Sequence, residues 1–202
     1  MKKMNNRVFK LSECGIEAAA REVAAAFDLP GAVVLVPTET VYGLVCCADD
    51  PEAIQRIYFL KHRSEAKPLG WFIGDWHKLP EYGVQMEGLP AELAEKYCPG
   101  AVTIIAPTQT GGTQGFRVPD HPLLKRVLEL VDLPLCQTSA NLSGRPDALT
   151  AEAAANELIA HVDLVIDGGA IPPDAQASTV VLATGETPVI LRQGSVKIAS
   201  FE

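Results

Sequence analysis

Several segments of this sequence carry hydroxyl, carboxylate and cationic side chains at spacings that suit ligand chemistry. In Pro37-Thr38-Glu39-Thr40-Val41-Tyr42-Gly43, two hydroxyls and a carboxylate directly follow the apolar run at 32–36. Open α/β sheets bind ligands beyond the C-terminal ends of their strands, where such a segment would lie. If it is extended, alternation aims Thr38 and Thr40 to the same side. The same residue types also fill turns by bonding to their own backbone, so a purely local role stands beside the ligand-binding one. Residues 56–67 hold Arg56, Lys61, Arg63 and Lys67 against the single acid Glu65, in a chain of net charge −8. Lys61 and Arg63 fall at a helix end, where cations complement the macrodipole. Lys67 lies beyond the helix and has no such explanation. The cluster reads either as an anion site, with arginine suited to phosphate, or as a solvated charge run.

A third segment, Thr138-Ser139-Ala140-Asn141-Leu142-Ser143-Gly144, also follows a strand. Small hydroxyl residues with glycine let backbone N–H groups close around a phosphate, and they are also ordinary loop composition. Arg117 and Arg192 each sit in a short apolar strand, where a cation must face solvent or find a partner. Ser178-Thr179-Val180, opening the last hairpin, is a further hydroxyl pair that plain β-propensity could explain. The phosphate-loop pattern, the dinucleotide fingerprint, the zincin motif and the nucleophile elbow do not occur, and His62, His77, His121 and His161 are scattered. Hydrolysis by a triad or a bound metal is therefore unsupported. Cys14, Cys46, Cys47, Cys98 and Cys136 lack C-x-x-C spacing, against both zinc and a disulfide framework.

The elements that must position these groups alternate. Ile16, Ala20, Val23, Ala24 and Phe27 share one face of a helix ending at Pro30-Gly31, and residues 32–36 read as a strand covered on both faces. Asp50-Pro51 opens a helix lined by Ile54, Ile57, Tyr58 and Lys61. A strand at 69–73, a helix at 90–98, strands at 101–107 and 115–118, a helix after Asp120, a strand at 134–138, a helix at 150–161 capped by Thr150 and a strand at 163–167 follow. Residues 178–183 and 188–192 close as a hairpin, with 107–115 read as a mobile loop. Strand–helix alternation with a terminal hairpin argues for a single α/β domain over residues 1–202 with a mixed sheet. The 202 residues are 48% hydrophobic and 21% charged, enough for a real core. The N-terminus turns acidic before any apolar run develops and no apolar stretch approaches a membrane span, so neither a signal peptide nor a membrane partner is expected and the address is cytoplasmic. On these grounds alone the reading ends at an anion-binding α/β protein.

Taken in order, residues 37–44 (PTETVYGL), 61–69 (KHR…KPL), 99–103 (PGAVT), 116–119 (FRVP), 138–144 (TSANLSG), 178–181 (STVV) and 191–194 (LRQG) resemble the YrdC/Sua5/TsaC family, in its short form, across about 15–195. The resemblance implies a twisted mixed sheet flanked by helices and curved around a positively lined cavity. It also implies synthesis of L-threonylcarbamoyl-adenylate from L-threonine, bicarbonate and ATP with Mg2+, releasing pyrophosphate. A separate transferase complex would then carry the group to adenosine 37 of tRNA. It implies threonine contacts at Thr38, Thr40, Arg117 and Ser178. Nucleotide contacts are implied at Lys61, Arg63, Lys67, Thr113, Ser139, Asn141, Ser143, Asp147 and Arg192, with Lys61 and Arg63 also stabilising the reaction; Thr113 and Asp147 align by spacing alone.

The sequence departs from the family pattern at Val45 (commonly Gly), Ser64 (often Pro), Ala101 (second Pro of PGP) and Phe72 (a His in longer members). The chain ends soon after Gly194, so the extra C-terminal domain of longer members is expected to be absent. Two rival readings are a YciO-type paralogue without synthase activity and an RNA-binding module. The net charge of −8 argues against tight tRNA binding by the protein alone.

Overall fold

The computed structural model describes residues 7–158 and 161–199; residues 1–6, Ile159–Ala160 of the expected fifth helix and residues 200–202 lie outside them. In chain order the elements are β1 (Arg7–Lys10), α1 (Leu11–Phe27), β2 (Val34–Val36), β3 (Gly43–Cys47), α2 (Pro51–Leu60) and β4 (Gly70–Phe72). A 3-10 helix (Trp76–Tyr82) and α3 (Leu89–Tyr97) lead into β5 (Val102–Pro107), β6 (Thr113–Arg117), α4 (Pro122–Val131) and β7 (Leu135–Ser139). The chain then forms α5 (Ala151–Leu158), β8 (Leu164–Asp167), β9 (Thr179–Leu182) and β10 (Val189–Arg192). The ten strands make one mixed sheet in the order β1-β8-β2-β3-β7-β4-β6-β5-β9-β10.

Strand alternation decides what each face carries. In β2 and β3, Leu35, Leu44 and Cys46 pack on one side with Ala53, Ile57 and Leu60 of α2 and Ala151, Ala154 and Leu158 of α5. Val34, Val36, Val45 and Cys47 pack on the other with Ala19, Ala20 and Val23 of α1 and Leu123, Leu124, Val127 and Leu128 of α4. Burial on both sides explains the unbroken apolar run at 32–36. In the other half of the sheet, Val102, Ile104, Ala106, Phe116 and Val181 pack with Leu93 and Ala94 of α3. Their alternating partners Thr103, Ile105, Gly115, Arg117 and Val180 face the open side. The face that α1 and α4 cover over β2 and β3 is thus left as a hollow over β4, β6, β5 and β9.

Local signals act as expected at two helix starts. Asp50 accepts from Ala53 N at 3.0 Å, and Thr150 accepts from Ala153 N at 3.0 Å. Ile16 corrects the first helix face: it is exposed, because Gly15 at φ 76° breaks the helical path before it. Residues 107–115 are not a free loop. They form the β5–β6 hairpin, whose turn is held by Gly112 N donating to Thr108 Oγ1 at 3.0 Å.

Candidate active site

The hollow is a cavity of about 430 Å3 lined by, among others, Thr38, Thr40, Arg63, Lys67, Gly70, Phe72, Thr103, Thr113, Arg117, Gln137, Ser139, Ser178 and Arg192. The loop from β2 to β3 is a compact turn, not the extended segment the alternation argument assumed. Thr38 Oγ1 accepts from Thr40 N (3.0 Å) and Val41 N (3.2 Å) and donates to Val41 O (2.8 Å). The two hydroxyls themselves lie 2.8 Å apart. Thr40 Oγ1 accepts from Arg117 Nη1 at 3.1 Å. Thr38 is thereby a turn-former that also lines the cavity, and Thr40 couples the turn to Arg117.

Arg117 is only 3% exposed, and its charge is met by Glu39: Nε lies 3.2 Å and Nη2 2.6 Å from Oε1. The same oxygen accepts from Asp120 N at 3.0 Å. The guanidinium lies over Phe72, 5.2 Å from the ring centroid, a cation–π contact. Ser178 Oγ is 2.8 Å from Thr103 Oγ1 and accepts from Arg192 Nη2 at 3.2 Å, while Arg192 Nε donates to Ser178 O at 3.0 Å.

Arg192 reaches this position through a bulge. Val189 pairs with Leu182 and Ile190 with Val181, but Arg192 pairs with Val180, leaving Leu191 as an extra residue. Val189 and Arg192, three apart, therefore share a face, and Arg192 joins Val180 on the cavity side. Gly194 permits the next turn to close, since a Cβ there would lie 2.2 Å from Ala177 O. Gly70 keeps the cavity floor flat beside Gln137, whose Nε2 would be 2.9 Å from a Cβ at that position.

Arg63 donates from Nε to Lys67 O (3.0 Å) and from Nη2 to Pro68 O (3.1 Å), shaping the segment that presents Lys67 to the cavity. Lys61 corrects the picture of a cation facing the ligand. It is 2% exposed, and its ammonium donates to Ser139 O, to Asn141 O at 2.5 Å and to Asn141 Oδ1 at 3.3 Å. Burial pushes Lys61 down to about 8, with repulsion from Arg63 adding to it and Asp147 opposing it. Asn141 is likewise a loop-former: Oδ1 accepts from Ser139 Oγ at 2.6 Å and Nδ2 donates to Arg145 O at 2.6 Å. Ser143 is exposed, its N–H bonded to Lys61 O at 3.2 Å, and Asp147 is exposed but close enough to favour the charged forms of Lys61 and Arg192.

Of the sequence candidates, the cavity wall thus gathers Thr38, Thr40, Arg63, Lys67, Thr113, Arg117, Ser139, Ser178 and Arg192; Lys61, Asn141, Ser143 and Asp147 stand behind or beside it. Sequence reasoning did not single out Thr103, although it closes the PGAVT segment, or Gln137, a polar residue within the strand before TSANLSG. Among the described residues no helix is long and apolar enough to cross a membrane.

The family profile Sua5_yciO_yrdC, described as Telomere recombination, matches residues 29–194. Threonylcarbamoyl-AMP synthase of Pyrococcus abyssi is 33% identical over 196 residues, covering 93% of this chain and 57% of the relative. That of Mus musculus is 38% identical over 180 residues, covering 82% of this chain and 61% of the relative. This chain therefore spans less than two thirds of either relative's length. The crystal structure of P. abyssi Sua5 complexed with L-threonine superposes with a TM-score of 0.77 at 31% identity, over 93% of this chain and 57% of that one.

Proposed function

The chain belongs to the Sua5/YciO/YrdC family, and from that premise we propose that it is an L-threonylcarbamoyladenylate synthase and acts as a nucleotidyltransferase. The observation that carries the reading is a single cavity combining an amino-acid reader with a set of phosphate-seeking cations. Arg117, Thr40 and Ser178 supply a guanidinium and hydroxyls for the carboxylate and hydroxyl of threonine. Arg63, Lys67 and Arg192 face the nucleotide, with Thr113 and Ser139 beside them. Magnesium arrives as part of the MgATP substrate.

The threonine amine, neutral when it reacts, adds to bicarbonate to give a carbamate with loss of water. A carbamate oxygen then attacks the α-phosphorus, and the bond to the β-phosphate breaks to release pyrophosphate. Nucleophile and electrophile are both anions, so the protein's work is alignment and charge neutralisation rather than proton abstraction. Lys61 contributes by fixing the end of β7 at Ser139, and the loop that follows it, against the nucleotide. The product would pass to a separate transferase acting on tRNA, and this chain alone is not expected to hold tRNA tightly. Five free thiols suit a reducing, cytoplasmic setting.

The curated synthase names of the relatives favour this reading over the YciO-type alternative. Incubation with L-threonine, bicarbonate and MgATP should release pyrophosphate only when all three are present. Absence of threonine-dependent pyrophosphate would refute the assignment.

A further inference from the structure

Among the described residues, the buried side-chain atoms without a hydrogen-bond partner are Glu39 Oε2, Arg117 Nη2 and His121 Nδ1. Buried polar atoms left unpaired are uncommon and mark places that need a physical explanation. These three belong to one cluster. Glu39 Oε1 lies 2.6 Å from Arg117 Nη2, which is not aligned to donate to it, and both charges act on the His121 imidazole. Glu39 reaches the cluster from the turn after β2, Arg117 ends β6, and His121 precedes α4, so three separate chain segments converge here.

The two ends of the cavity differ in how their cations are matched, with Arg192 on Ser178 near enough to Arg117 to repel it. Strand β6 runs from Thr113 beside the Lys67 segment to Arg117, four residues or about 13 Å at the usual strand rise. At the Lys67 end, Arg63 and Lys67 present cations to the cavity wall. At the Arg117 end the guanidinium is matched by one carboxylate at ion-pair distance. Burial lowers the proton affinity of His121, which favours the neutral imidazole. A bare arginine would bind phosphate as readily as carboxylate, because its planar fork fits both. With Glu39 against it, a polyphosphate meets a like charge, whereas an amino acid brings its own ammonium and is neutral overall. Glu39 also engages the Nε edge of the guanidinium while Thr40 holds Nη1, which fixes the plane of the fork.

We propose that Glu39 is a positioning and specificity-determining residue, orienting Arg117 and cancelling its charge so that this arginine is reserved for an amino-acid carboxylate and denied to the nucleotide's polyphosphate. The inference rests on the synthase reading, in which both ligands share the cavity.

The test is calorimetric titration of L-threonine, with and without saturating inorganic tripolyphosphate, into the whole protein and its Glu39→Gln and Glu39→Asp variants. In the unsubstituted protein threonine affinity should change less than twofold with tripolyphosphate. In Glu39→Gln, which keeps the shape and loses the charge, tripolyphosphate should weaken threonine binding at least tenfold and competitively. Glu39→Asp should keep the exclusion of tripolyphosphate while binding threonine less tightly, because the charge remains and the reach is shorter. If Glu39→Gln binds threonine less well with no competition, Glu39 is structural only and the proposal fails. It fails equally if Glu39→Asp admits tripolyphosphate as the glutamine variant does. Failure of the unsubstituted protein to bind threonine would instead overturn the functional reading beneath it, whatever the variants do.

Discussion

The ammonium of Lys61 lies 2.5 Å from the backbone oxygen of Asn141, so the end of α2 grips the loop after β7 through a single buried cation. The same ammonium holds Ser139, the last residue of β7 and part of the cavity wall, so a side chain outside the wall controls it. Lys61→Met fills a similar volume and leaves the oxygens of Ser139 and Asn141 unpaired. The expected cost is about 1–3 kcal/mol, the usual penalty for stranded buried polar groups. Denaturant unfolding should read that loss, and amide exchange should quicken at residues 139–147. Unchanged exchange there would mean the loop holds itself.

The same ammonium gives stability a pH dependence. Folded Lys61 titrates near 8, below the ordinary lysine value of 10.5. Between those values the folded state binds fewer protons than the unfolded state, so the Lys61 contribution to stability rises with pH across this window. It is least favourable below about 8, where the buried amine must carry its charge. The difference in unfolding free energy between the unsubstituted protein and Lys61→Met should drift in favour of the former from pH 8 upward, at a slope of at most about 1.4 kcal/mol per pH unit. A flat difference across pH 8 to 10 would show that the Lys61 ammonium is not destabilised by burial.

Arg117→Lys preserves charge but not the planar fork. Lysine cannot engage Glu39, Thr40 and a carboxylate at once in that geometry. The KM for threonine should rise about tenfold or more, equivalent to roughly 1.4 kcal/mol of lost binding. ATP affinity measured without threonine should change little. The opposite pattern, ATP binding lost with threonine intact, would reverse the assignment of the two ends.

Much of the architecture was legible because burial on both faces leaves a direct trace in the sequence. The run at 32–36 became β2, and Asp50-Pro51 and Thr150 started helices as their chemistry requires. Strand β3 escaped notice because residues 43–47 continue the motif PTETVYGL, and its glycine and paired cysteines resemble a loop more than a strand. Among the site residues, sequence could say that Lys61 stands at a helix end but not whether its amine turns out to a ligand or in to carbonyl oxygens. The partner of Arg117 was visible only as a carboxylate in another motif, 78 residues away, and three-dimensional closure was needed to join them.

The bulge at Leu191 makes the length of the last strand adjustable. Remove Leu191, and Arg192 becomes the residue that follows Ile190, which in an even ladder still stands opposite Val180. The strand then alternates regularly, and Val189 and Arg192 keep the common side they have now. A one-residue deletion inside a binding motif ordinarily turns every later side chain over, yet here it should be nearly silent. We expect the Leu191 deletion to bind ATP within a few-fold of the unsubstituted protein, while Arg192→Ala loses at least tenfold. If the deletion is as weak as Arg192→Ala, the local twist of the bulge, and not the face it selects, is what delivers the guanidinium.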